Sequence, residues 1–339
     1  MKKVFWLVVV AFVFSLAGLS APFPGNAQEK VVTLNFALFF PAEHAFGILF
    51  KEWCEEVGKR TDGKVKATLF PGGTLTPPAQ VYASVVSGIA DVGLSFNAYT
   101  TGRFPLTDIL THPLGYKNAY QTTMLAHALY KKFKPKEFDE VKVLIMQCSP
   151  PQVLSAKKPV RTLADVKGLK TRAGGGVEAA MLKAWGAVPV AMPAPDIYDA
   201  LSKGAIQASM GTTEQLMGYK LAEIVTHVTY FTPQAGGAGY IVMNKNKWNA
   251  IPPDAQKVID QMSDEYAEKL AKTWQRLFNL GEEFFLQKGV KKIVLSKEED
   301  ARWIEKVEPV VAAYVKGLNE KGLPGDEALK FCRDYIKAH

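Results

Sequence analysis

Arg172 stands two residues before Gly174-Gly175-Gly176, and a helical pattern follows from Glu178 to Trp185. A guanidinium at a strand end, followed by glycines and a helix N-terminus, would meet an anion together with free backbone N–H groups. Arginine suits that task because its planar fork matches a carboxylate with two parallel bonds. Each charge-assisted bond of this kind contributes roughly 1.5–3 kcal/mol. An arginine ahead of a flexible surface loop has the same local pattern, so the local sequence leaves both readings open. Gly174-x-Gly176-x-x-Ala179, with Asp196 further on, also matches the loose dinucleotide fingerprint. The preceding strand is short and polar, and Asp196 has a simpler role favouring a helix start after Pro195. A nucleotide is therefore not the expected ligand, and no P-loop is present.

Other reactive residue types do not assemble into catalytic patterns. His44, His112, His127, His227 and His339 show no metal-ligand spacing. No Gly-x-Ser-x-Gly elbow occurs, and acidic runs such as Glu298-Glu299-Asp300 belong to solvated helices. No nucleophile, base, metal site or cofactor is expected, so the chain reads as a binder and not an enzyme. Cys54, Cys148 and Cys332 are an odd set, read as small core residues without a disulfide. His127 reads as structural, whereas His44 follows the first strand and is a candidate to line a cleft. Phe39, Phe40, Phe96 and Tyr99 gather at expected strand ends. Core packing accounts for any one of them, but four beside one cleft fit a mostly apolar ligand pocket.

The elements that would position these residues alternate. Residues 31–40 read as a strand, and Phe46, Leu49, Phe50, Trp53 and Val57 give the next segment helical spacing. Strands at 64–70 and 90–96 enclose a helix at about 78–87 that stops at Gly88. The rhythm resumes with strands at 141–147, 169–173, 188–192, 205–210 and 240–243. Thr162-Leu163-Ala164-Asp165 has the form of a capping box, and Ser296-Lys297-Glu298-Glu299 caps a further helix. Residues 253–287 form a long amphipathic helix. The fold class is α/β: two lobes with largely parallel sheets around a ligand cleft, followed by long helices. Ligands in such sheets bind at the carboxyl ends of the strands.

A chain of 339 residues, 48% hydrophobic and 22% charged, is long enough for two cores and has no disordered bias. Residues 1–27 read as a secretory signal: Lys2 and Lys3, an apolar run from 4 to 19, then Gly25-Asn26-Ala27 before the cut. An export route to the periplasm follows, with no cysteine near the cut for a lipid anchor. The net charge is +8, or +6 without Lys2 and Lys3, and the basic residues are scattered among acids. Nucleic acid is thus excluded as a partner, while a mild positive field suits an anionic ligand.

The run Asp165-Val166-Lys167-Gly168-Leu169-Lys170-Thr171-Arg172 resembles a segment of the TRAP-transporter substrate-binding proteins, the DctP-like family. The likeness continues through Gly186-Ala187-Val188-Pro189 and Asp196-Ile197-Tyr198-Asp199-Ala200-Leu201, and in Phe70-Pro71-Gly72-Gly73 and Met243-Asn244. It spans nearly the whole chain after the signal. The resemblance implies a periplasmic-binding-protein fold of two discontinuous lobes: 28–149 with about 238–277, and 150–237 with about 278–339. It implies a monomer that closes on a small organic acid and delivers it to TRAP-type permease subunits. An extracytoplasmic sensor of the same fold is the alternative. Arg172 matches the family's carboxylate-pairing arginine. The sequence departs from the family at Gln152, where a second basic residue is common, and at Gly211, where an asparagine is usual. Phe39 and Phe96 replace polar residues. The expected ligand is a carboxylate with an apolar or aromatic body. Its expected contacts are Arg172, Phe39, Phe96, Asn97, Tyr99, Gln152, Gly174, Met192, Gly211 and Thr212.

Overall fold

A computed structural model describes residues 31–232 and 234–339. The apolar segment 1–27 and its cleavage site lie outside the described residues. The first half runs β1 (Val32–Leu38), α1 (Ala45–Arg60), β2 (Val65–Phe70), α2 (Val81–Ser87), β3 (Val92–Phe96), α3 (Ala119–Phe133) and β4 (Val141–Cys148). Leu34, Phe36 and Leu38 on alternate positions of β1 share one core with Phe46, Phe50, Trp53 and Val57 of α1. The period of two thus meets the helical period face to face. Ala37, on the opposite face of β1, joins a second core with Leu125, Ala126 and Leu129 of α3. Helix α1 starts at His44, whose ring accepts the Phe46 N–H. Past its end the chain reverses at Asp62 and Gly63, both at positive φ.

The second half runs β5 (Val153–Ala156), α4 (Leu163–Val166), β6 (Lys170–Ala173), α5 (Gly176–Ala184), β7 (Val188–Ala191), α6 (Ile197–Ser202), β8 (Ala208–Gly211), α7 (Glu214–Gly218) and β9 (His227–Tyr230). The chain then returns through β10 (Ala238–Asn244) and α8 (Lys245–Ala250). It closes with α9 (Pro253–Gln287), β11 (Lys291–Val294), α10 (Lys297–Glu320) and α11 (Gly325–Ala338). The capping box at Thr162 and the Ser296 cap both form as the sequence predicts.

Two sheets result, ordered β2-β1-β3-β10-β4 and β11-β9-β5-β8-β6-β7. Each is parallel apart from one reversed strand, β10 in the first and β5 in the second. These are the strands entered just after the chain passes between sheets. A short link from the end of β4 delivers the chain to the cleft side of the second sheet, so β5 must run against its neighbours.

Two long helices bind the halves together. Helix α9 spans 35 residues, about 50 Å at 1.5 Å per residue. It packs on α1, α3 and β4 and then on α7. Gly281 lets it approach closely: a Cβ there would sit 2.4 Å from the Thr213 carbonyl oxygen. Helix α10 begins in a core of the second half, where Trp303 and Val307 pack, and reaches the first half's core around Ala37 and Leu129 through Val315 and Leu318. Helix α11 packs on α3, with Ala328, Cys332 and Ile336 in the first half's core. The three cysteines are free and buried. Burial pushes the Cys54 and Cys332 thiols up to about 12. Among the described residues no helix is long and apolar enough to cross a membrane.

Candidate functional site

The carboxyl ends of β1, β3, β6 and β8 converge on one small cavity, which is where parallel strands leave room for a ligand. Arg172 reaches it from β6. It is 3% exposed, its Nε donates to the Met192 carbonyl at 3.0 Å, and its Nη1 to the Met210 carbonyl at 2.9 Å. Both bonds lock the guanidinium plane between the ends of β7 and β8. Its Nη2 lies 3.3 Å from the place where a Cβ on Gly174 would stand. The Tyr99 hydroxyl, from the opposite half, lies beside the guanidinium and accepts the Ala194 N–H at 3.1 Å. Burial pushes the Tyr99 phenol upward.

Glu178, in the first turn of α5, is 2% exposed. One of its oxygens accepts the Gly174 N–H at 2.5 Å and the other the Gln152 Nε2 at 2.8 Å. The glycine run does more than expose N–H groups. Gly175 approaches the other half so closely that a Cβ would lie 2.5 Å from the Ala98 carbonyl oxygen.

The first half supplies the aromatic wall. Phe39 stacks on Phe40 with centroids 4.3 Å apart, and meets Phe96 at 6.0 Å and Tyr99 at 5.9 Å. Phe40 packs against Phe46 at 4.9 Å, and Phe46 against Trp274 at 4.5 Å. The Trp274 indole N–H donates to Gln147 at 2.7 Å, which satisfies its one buried donor. The wall is therefore continuous with the core below it.

A second polar contact spans the two halves at the cavity edge, besides the Tyr99–Ala194 bond. His44 Nε2 lies 2.9 Å from Glu214 Oε1, with side chains 7% and 1% exposed. His44 Nδ1 accepts the Phe46 N–H, so in the neutral ring Nε2 carries the proton and donates to Glu214. The enclosed volume is about 40 Å³, far below the roughly 300–1,000 Å³ of ordinary ligand pockets. The walls must part to admit a ligand.

Seven expected residues line this cavity: Arg172, Phe39, Phe96, Tyr99, Gln152, Gly174 and Thr212. Three do not. Asn97 is fully buried and points away, donating to Thr107 Oγ1 at 2.9 Å, which pins the corner carrying Phe96 and Tyr99. Met192 packs its side chain into the second half's core and gives only its carbonyl to Arg172. Gly211 is covered by Gln215, whose Oε1 would lie 2.2 Å from a Cβ at that position. Sequence reasoning missed Glu178, Glu214, Gln215, Tyr219 and Trp274, all on the cavity wall. Glu178 carries a legible signal, a carboxylate one turn after Arg172 and the glycines. The others depend on contacts between segments distant in sequence.

The chain matches the model of bacterial extracellular solute-binding protein family 7, DctP, over residues 36–317, and it belongs to that family. Proteins of this family bind small organic acids outside the cytoplasm and work with TRAP permeases; they are binders, not enzymes. A TRAP periplasmic solute-binding protein of Desulfovibrio salexigens is 32% identical, with 91% of this chain and 97% of that one covered and a TM-score of 0.79. It was solved as an open complex with the C-terminus of a symmetry mate in its ligand site. A TRAP solute-binding protein of Rhodoferax ferrireducens, with copurified benzoate, is 29% identical, covering 91% and 98%, with a TM-score of 0.85. One of Bordetella bronchiseptica, with bound (R)- and (S)-mandelate, is 28% identical, covering 91% and 99%, also at 0.85. The bilobed α/β architecture is shared with all three.

Proposed function

We propose that this chain is the exported receptor of a TRAP-type transporter, and that it closes on one small carboxylate with an apolar or aromatic body. The observation carrying this reading is Arg172, a buried guanidinium held edge-on by two backbone carbonyls and facing a cavity whose other wall is aromatic. A carboxylate satisfies the cation there, and the ring of the ligand replaces water against Phe39, Phe96 and Tyr99. The relatives that hold benzoate and mandelate support an aromatic acid. The two lobes are the bodies carrying the two sheets, and they part about the crossings near 149–152 and 231–237 and along α9. Signal cleavage after Ala27 releases a monomer, which delivers the ligand to the membrane permease. A thermal-shift screen against aliphatic, aromatic, keto and sugar acids tests the reading. A ligand at a hundred times its Kd adds about 2.7 kcal/mol to the folded state. The expected result is a raised melting temperature with an aromatic or apolar carboxylate. A sugar acid as the tightest ligand, with arylcarboxylates inert, overturns it.

A further inference from the structure

The cavity holds more acceptors than a bare anion needs. The orientation of the Gln152 amide is settled by its neighbour: the group facing Glu178 Oε1 at 2.8 Å must be the N–H₂, since the reverse would set a carbonyl oxygen against a carboxylate oxygen. Glu178 is itself fixed by the Gly174 N–H. Gln152 is 4% exposed, and its Oε1 has no hydrogen-bond partner. The Tyr219 hydroxyl, on the same cavity, has none either. Buried polar atoms in native proteins are nearly always paired, and an orphan on a binding cavity marks a bond that another molecule completes.

Charge supplies a second reason. The Glu178 oxygens lie 3.1 Å and Arg172 Nη2 3.3 Å from the Cβ position of Gly174, so a buried carboxylate already stands near the cavity's guanidinium. Glu214 adds a second buried acid at the far edge, paired with His44. A ligand carboxylate brings further negative charge into this space. A donor on the same ligand offsets it.

We infer that the ligand is a carboxylate that also carries a hydrogen-bond donor, a hydroxyl or an N–H, seated on Gln152 Oε1, and that Gln152 selects for that donor. This rests on the carboxylate-receptor reading above and narrows it. An acid without a donor leaves the Gln152 oxygen unpaired in the closed state, as does an ether in the donor's place. Benzoate itself is such a donor-free acid, so this site discriminates where a purely apolar pocket would not.

Calorimetry on the purified protein tests the inference with matched sets built on benzoate and phenylacetate. Each set holds the parent acid, its hydroxy isomers, the corresponding methoxy compounds and the amino or aminomethyl compounds. One hydroxy or N–H compound is expected to bind about tenfold or more tighter than its parent, while its methoxy counterpart does not. Which donor series wins identifies the source of the donor. In Gln152→Leu the preference is expected to fall to within about twofold. Parents that bind as tightly as every donor-bearing relative overturn the inference, as does a preference that survives in Gln152→Leu. The wild-type ratios decide the matter alone if that variant does not fold. Carboxylates that bind without donor preference remove this inference and leave the receptor reading standing. Failure of every carboxylate to bind removes both.

Discussion

The two walls of the cleft are built by different physics. The wall from the first half is packed: Phe39, Phe40, Phe46 and Trp274 form one aromatic column that runs down into the core. The wall from the second half is hydrogen-bonded: Arg172, Gln152 and Glu178 are held by carbonyls, an N–H and each other. Packing gives a surface that tolerates ligands of similar shape, because dispersion contacts are non-directional. Hydrogen bonds give a surface that rejects a ligand lacking the right group, because the unmatched atom stays buried and unpaired. On the proposed reading, the first wall sets the size and apolar character of the ligand, and the second sets its chemistry.

That division separates the consequences of substitution. Trp274→Ala removes the base of the packed wall, a side chain 1% exposed, and is expected to cost about 3–5 kcal/mol of stability. Urea unfolding measures it, and a loss under about 1 kcal/mol would break the comparison by showing the column to be dispensable to the core.

His44→Asn sharpens the comparison, because it acts on the contact between walls. Asparagine keeps the cap on α1 but is too short to span the bond to Glu214. Glu214 then stays buried without its partner, so stability is expected to fall by about 1–3 kcal/mol, while ligand affinity falls about tenfold. Unchanged ligand affinity would show that His44 serves the fold alone.

The smallest effect concerns the loop behind the packed wall. Burial holds the Asp108 carboxyl up at about 7, with an Asn97 hydrogen bond opposing and Glu137 adding to the shift. Its folded value exceeds the ordinary 3.8, so the folded state binds more protons between those values and stability falls as pH rises across that window. Above about 7 the loss is complete. Asp108→Asn is expected to raise Tm at pH 8 and leave it unchanged at pH 3. The reverse order would place Asp108 in a solvated setting.

Most of the frame is legible because periodicity reports burial. The strands of the first sheet, the long α9 and the Arg172–glycine segment follow from residue spacing alone. Strands β5, β9 and β11 do not: four residues such as Lys291–Val294 are too few to express a period, and the equally short β6, β7 and β8 are marked instead by the glycines and prolines around them. Helix α11 has a clear one in Ala328, Cys332 and Ile336, but nothing local states which half it covers. The same limit applies to the site. Arg172, Phe39 and Phe96 announce themselves by type and by position at strand ends. Asn97 and Met192 sit at similar positions and face elsewhere, because side-chain direction at a strand end depends on the turn that follows, and Gly211 is covered by Gln215. Glu214 and Tyr219 join the cavity only when distant segments meet.

The most direct measurement compares an acid with its neutral isostere across both walls. Binding of benzoate and benzamide is measured by calorimetry in the wild type and in Arg172→Met, with circular dichroism confirming the fold of the variant. If the second wall reads charge through Arg172, benzoate binds at least about thirtyfold tighter than benzamide in the wild type, about 2 kcal/mol. That difference then disappears in Arg172→Met, while benzamide affinity stays nearly constant. Benzoate affinity that is unchanged in a folded Arg172→Met variant contradicts the account, because the carboxylate would then be held by something other than this guanidinium.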